Sequence, residues 1–168
     1  YHATYEVTTK LIKRGKKKTL FMYDSDSFSA RPKMAGYDAA LSEAGYPVRG
    51  DLKFKTKNNI EYTRDLLLTY KNLEFDSVVA TEDGIAIGAL KYAKIRGISV
   101  PDELSISGYN DSILAVGCDP ELTSVDSKLA VLCKTTIDHM IKLLGNGEEI
   151  ESYVSVPCNV VKRCTTDF

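Results

Sequence analysis

The run from Val78 to Ser127, VVATEDGIAIGALKYAKIRGISVPDELSISGYNDSILAVGCDPELTSVDS, constrains the fold more than any other part of the chain. It reads as strand, helix, glycine turn, strand, loop and strand. Phe75–Ala80 is an apolar strand and residues 84–95 form an Ala- and Ile-rich helix closed by Gly97. Leu104–Gly108 and Thr123–Val125 are further strands. Strands alternating with Gly-terminated helices specify an α/β fold, a parallel sheet flanked by helices on both faces. Two of these strands stop at Thr81-Glu82-Asp83 and at Asn110-Asp111-Ser112, placing charged and amide groups on one edge. In open α/β sheets the carboxyl edge is where ligands bind.

The rest of the chain continues the pattern. Residues 3–14 are helical and stop at Gly15; Thr19–Tyr23 is a buried strand; a helix opens near Pro32 and ends at Gly45. Leu52–Phe54 is a weak strand, Asn58–Tyr70 a helix, and residues 127–144 a long amphipathic helix stopped by Gly145-Asn146-Gly147. One or two terminal strands fall between Tyr153 and Val161, broken by Pro157.

Composition narrows the function. A net charge of −1 gives no chain-wide footprint for nucleic acid. The one basic cluster, Lys13, Arg14, Lys16, Lys17 and Lys18, reads chiefly as a solvated turn at a helix C-terminus, with a phosphate or DNA contact the alternative. Cys118, Cys133, Cys158 and Cys164 form no C-x-x-C pair, and His2 and His139 fall at no ligand spacing from them, so neither a metal nor a cofactor is expected. Sparse cysteines fit a reducing compartment, the cytoplasm. The apolar runs are too short for a bilayer, so no membrane partner is expected. The chain opens at Tyr1, without Met and inside a helical pattern, and reads as a piece of a longer protein.

Binding rather than catalysis is expected. No G-x-S-x-G, G-x-G-x-x-G or G-x-x-x-x-G-K motif occurs, and neither histidine falls at a strand end. Asp83 reads chiefly as a helix cap, whereas Glu82 divides evenly between capping and ligand contact. Asp111 and Ser112 also suit caps. Asn110 offers both a donor and an acceptor to a hydroxyl-rich or amide ligand. Ser29, Arg31 and Lys33 open the helix after the first strand. Cations oppose the macrodipole there, which makes contact with a ligand or partner as good a reading as a purely structural one. Arg31 alternatively pairs with Asp24 or Asp26.

Taken in order, LIKRGKKKTLFM, SARPKMAGYDAALSEAG, the 78–112 segment, PELTSVDSKLAVLCKTTIDHMIKLLGNG and VPCNVVKRCTT resemble the ligand-binding core of LacI-family bacterial transcription regulators over essentially the whole chain. The resemblance implies a fold like that of type I periplasmic binding proteins. It also implies that a helix-turn-helix domain, a hinge helix and part of an N-terminal lobe lie outside this chain. Residues 1–122 would be the C-terminal lobe, 123–150 a segment belonging to the N-terminal lobe, and 151–168 the returning strand. The implied partners are a small polar effector, a carbohydrate being the usual type, a second copy of the chain, and operator DNA reached only through the missing domain.

Ligand positions carry over with departures. The family's arginine three residues before the helix glycine is Lys33. The strand-end Asn or Asp of its "ND" pair is Glu82, followed by the matching Asp83. The first Asp of its "GYDD" motif is Asn110, followed by the matching Asp111. Ser29 and Ser112 stand where family members often line the pocket. Three central polar positions differ together, which points to a polar ligand other than the usual neutral sugar, or to a core without a small-molecule response. For the implied homodimer the positions are Ile87, Lys91, Ile113, Leu114 and Val116, with core packing the alternative for Ile87. The rival reading, an exported solute-binding protein feeding a transporter, shares this fold. The PELTSVD segment and VVKRCTT tail are the regulator-like features.

Overall fold

Pairing of the strands follows from their apolar content. In the computed structural model, which describes residues 1–70, 72–145 and 151–168, β1 (Thr19–Tyr23), β3 (Ser77–Ala80), β4 (Ser105–Tyr109) and β5 (Thr123–Asp126) are buried along almost their whole length. Strands buried on both faces suit the middle of a parallel sheet. With β2 (Lys53–Lys55) and β6 (Asn159–Val161) they form one six-stranded sheet, ordered β2-β1-β3-β4-β5-β6. Every pairing is parallel except that of β5 with β6.

Alternation along the strands sends side chains to two cores. Leu20, Met22, Val78, Ala80 and Ile106 meet α3 (Ile60–Thr69) and α4 (Asp83–Arg96) on one face. Phe21, Val79 and Val125 meet α1 (His2–Lys13) and α2 (Ala30–Glu43) on the other. α4 is buried from Asp83 through Leu90 and again at Tyr92 and Ala93, and it ends at Gly97, whose φ of 68° is the left-handed geometry of a helix C-cap. At Gly88 an added Cβ would stand 2.6 Å from the Thr63 Cβ, so this glycine sets how closely α3 and α4 approach.

The order and type of the elements agree with the α/β expectation, with four differences. A short helix, α5 (Ile113–Gly117), follows β4 where the sequence pattern showed only a loop; a five-residue helix is too short to establish a 3.6-residue period. Of the terminal segment only Asn159–Val161 is strand.

The basic cluster is not simply a solvated turn. Lys16 is 8% exposed, and its Nζ donates to the Asp102 carbonyl at 2.9 Å, while the Lys17 and Lys18 backbone N–H groups donate to the Asp76 carboxylate. Finally α6 (Leu129–Gly145), although amphipathic, buries no residue. Asn146 and Gly147, expected to stop it, lie outside the described residues.

The chain end closes the sheet below β5. The Ile106 N–H donates to the Thr165 carbonyl at 2.7 Å, and the Thr165 hydroxyl donates to the Ile106 carbonyl. Strand pairing thus carries the sheet past residue 122 to Asp126, and the tail returns to the same layer.

Candidate functional site

β1, β3 and β4 run side by side in the same direction, so the segments after them emerge together. α2 follows β1, α4 follows β3, and the Asn110–Ser112 turn follows β4. This brings Lys33, Glu82 and Asn110 into one cluster although they are far apart in sequence. The Lys33 Nζ donates to the Thr81 carbonyl at 2.9 Å and stands 3.6 Å from Glu82 Oε1. It also lies 3.7 Å from the centre of the Tyr109 ring. The Asn110 amide nitrogen donates to Glu82 Oε2 at 2.5 Å. Glu82 therefore bridges a cation and an amide.

Electrostatically this cluster is costly. Burial pulls the Lys33 ammonium below its ordinary range, only partly opposed by Glu82. Burial also pushes the Glu82 carboxyl above its ordinary range, partly opposed by Lys33. Each charge loses more to desolvation than its partner returns, which is common for partly buried pairs. Asn110 has φ of 96° and Asp111 of 49°, both left-handed. Asn and Asp tolerate that region better than other non-glycine residues, so the sharp turn after β4 is built from the types that suit it.

Asp83, Asp111 and Ser112 have different employment. The expected helix cap at Asp83 is not made. Its carboxylate accepts from the Ser112 N–H and hydroxyl, each at 2.7 Å, and from the Ser124 hydroxyl at 2.6 Å. One buried carboxylate thereby ties the start of α4 to β5 and to the start of α5. Gly108 makes room for it, since a Cβ there would lie 2.4 Å from Asp83 Oδ1. Asp111 pairs with Arg163 at 2.7 Å. Ser112 stands at the N-cap of α5 without a side-chain cap bond.

Ser29 and Arg31 are exposed, and among the described residues Arg31 makes no ion pair; Asp26 is taken by Lys55. Residues two apart on a helix do not share a face, so Arg31 does not follow Lys33 inward.

Sequence reasoning missed two participants. Tyr109 carries the ring beneath Lys33, and its hydroxyl lies 3.6 Å from the Cys158 thiol. Arg163 donates to the Leu122 carbonyl at 2.8 Å as well as pairing with Asp111. Position just before the strand-end Asn110 was the only cue for Tyr109. Arg163 gave none, because its partner is contributed across the sheet.

A second feature lies on the α4–α5 side, a surface depression of about 890 Å³. It is lined by Ile87, Lys91, Ile113 and Leu114, four of the five expected interface positions. Ile113 is 81% exposed, and Leu114 and Val116 are also exposed, whereas Ile87 belongs to the core and Lys91 pairs with Glu61 at 2.6 Å.

The fold and this edge define a periplasmic binding protein-like domain, and the model of that family matches residues 8–166; the chain belongs to it. More particularly, it is similar to regulators of transcription. An HTH-type transcriptional regulator of Lachnoclostridium phytofermentans is 38% identical over 170 residues, covering 100% of this chain and 51% of the relative. The crystal structure of transcription regulator CcpA of Lactococcus lactis superposes with a TM-score of 0.91 at 26% identity, covering 99% of this chain and 62% of that one. A sugar-binding transcriptional regulator of the LacI family from Escherichia coli, solved with phosphate, gives 0.83 at 25% identity over 96% of this chain and 59% of that one. The chain spans about half the length of the curated relatives it matches. These relatives are regulators, not enzymes or transporter components. Among the described residues no helix is long and apolar enough to cross a membrane.

Proposed function

We propose that this chain is the effector-sensing part of a cytoplasmic LacI-type DNA-binding regulator, and that it acts by binding and not by catalysis. Residues 1–122, with β5 and the returning tail, form one lobe; α6 belongs with a second lobe contributed from outside this chain. A small polar molecule binds in the cleft between them, against Lys33, Glu82 and Asn110, with Ser29 and Arg31 at the exposed rim. Asp111 and Ser112 shape this wall from behind. The observation that carries the reading is the convergence on the carboxyl edge of polar residues from the ends of β3 and β4 and from the helix after β1.

The α4–α5 depression is the homodimer interface. Exposed Ile113, Leu114 and Val116 beside a core helix provide the apolar centre such an interface needs. A ligand that binds one lobe arrangement better than another shifts the balance between them, and through it the spacing of the DNA-binding domains. Operator DNA is contacted only through those domains.

The test is calorimetric titration of the intact regulator with a panel of monosaccharides, amino sugars, nucleosides and sugar phosphates, followed by operator binding with and without the ligand found. Glu82→Ala and Asn110→Ala should each weaken that ligand by about tenfold or more, the loss of one or two polar contacts. Unchanged affinity in both variants overturns the site.

A further inference from the structure

Lys33 is the cation that an anionic ligand would be expected to seek, yet its donors are already committed. An ammonium has three N–H groups. Here they face the Thr81 carbonyl, Glu82 Oε1 and the Tyr109 ring, and the side chain is only 10% exposed. A phosphate or carboxylate arriving at this wall finds no free donor on Lys33.

Acceptors are what remain. Glu82 is held by Lys33 at one oxygen and by Asn110 at the other, but each carboxylate oxygen keeps a spare lone pair, and the side chain is 23% exposed. Asn110 is exposed; its amide nitrogen is used, and among the described residues its carbonyl oxygen accepts nothing. Asp24, just past the end of β1, acts on the charges of both Lys33 and Glu82 and makes no ion pair among the described residues. Asp24 and Glu82 against Lys33 leave the part of the wall around Glu82 and Asn110 with surplus negative charge and unfilled acceptors, Arg31 lying outside it at the exposed rim.

We propose, resting on the cleft reading above, that this wall takes its ligand through a protonated amine, as on an amino sugar or other small polyhydroxylated amine, and turns away phosphorylated and carboxylated ligands. The amine donates to Glu82 and to the Asn110 carbonyl oxygen, and Asp24 adds attraction.

Matched fragments test the charge class without knowledge of the natural ligand. The intact regulator is titrated with ethanolamine, ethylene glycol and inorganic phosphate while the Tyr109 ring and Asn110 side-chain amide are followed by NMR. Ethanolamine should bind about tenfold more tightly than ethylene glycol, the worth of one partly exposed charge-assisted hydrogen bond, and phosphate should leave both signals unmoved.

Glu82→Gln should weaken ethanolamine about tenfold and, by freeing Lys33, let phosphate shift the Tyr109 signal. Lys33→Met should keep or tighten ethanolamine binding, and it carries the test if Glu82→Gln does not fold. The proposal is overturned if phosphate moves the wild-type signals as readily as ethanolamine does, if ethanolamine is no better than ethylene glycol, or if Lys33→Met abolishes ethanolamine binding. Phosphate binding beside Tyr109 would leave the cleft reading standing and remove only the charge class. Silence to all three probes, together with Glu82→Ala and Asn110→Ala having no effect on the panel ligand, would remove both.

Discussion

α4 and α6 are both apolar helices, yet they have opposite fates. α4 is buried over most of its length between the sheet and α3. α6 exposes Leu129, Ile137, Met140, Ile141 and Leu144 and buries nothing among the described residues. The difference lies in what surrounds them, not in their composition. α4 is delivered by β3 and returned by β4, so its length is fixed against the layer it crosses. α6 leaves the sheet after Asp126 and the chain rejoins it only at Asn159. Amphipathicity states that a helix needs an apolar partner; it does not supply one.

Three measurements break or sharpen that comparison. Ile85→Ala in α4 removes a side chain with no exposure and should cost about 2–5 kcal/mol by denaturant unfolding, while Ile141→Lys in α6 should change the stability of this 168-residue chain by less than about 0.5 kcal/mol. Comparable losses at the two sites would show that α6 is packed against something in this chain.

Asp83→Asn tests the polar anchor at the start of α4. It keeps the shape of the side chain but weakens three charge-assisted hydrogen bonds, with an expected loss of about 1.5–3 kcal/mol by the same measurement. A neutral result would mean that the apolar contacts alone hold α4 in place.

The smallest effect is on pH dependence. The folded Lys33 ammonium titrates below its ordinary value of 10.5, so the unfolded chain binds more protons in the window between the lowered value and 10.5. Stability from this group is therefore complete above 10.5 and is lost as pH falls through the lowered value. Glu82 has the opposite sign, because its folded carboxyl titrates above the ordinary 4.5. Its contribution is present below 4.5 and is lost as pH rises through the raised value. Both charges thus cost stability near neutrality. Thermal melts of Lys33→Met across alkaline pH should show a flatter rise in stability than wild type; an unaltered slope would mean that Lys33 is solvated.

Much of the site was legible because of chain direction. Parallel strands place every strand-end residue on one edge, so Glu82 and Asn110 could be grouped from their positions alone, and Lys33 from its place on the helix after β1. The allocation of hydrogen bonds was not legible. Asp83 and Glu82 are neighbours with identical chemistry, yet one is 3% exposed and tied to β5 while the other faces the cleft edge. Extended backbone sends consecutive side chains to opposite sides, and which side holds Ser124 depends on β5, which arrives more than forty residues later. Arg163 and Tyr109 escaped notice for the same reason.

Local rules written into single segments, the strand and helix periods, the glycine stops and the polar strand ends, determined the layered α/β class and the edge at which a ligand meets it. Only the tertiary structure decided that Lys33 is already paired, that Asp83 serves the scaffold and that α6 stands bare. Each of those outcomes is set by which other segment occupies the neighbouring space, and the desolvation that makes a charge costly or an apolar face unsatisfied exists only once that neighbour is, or is not, in place.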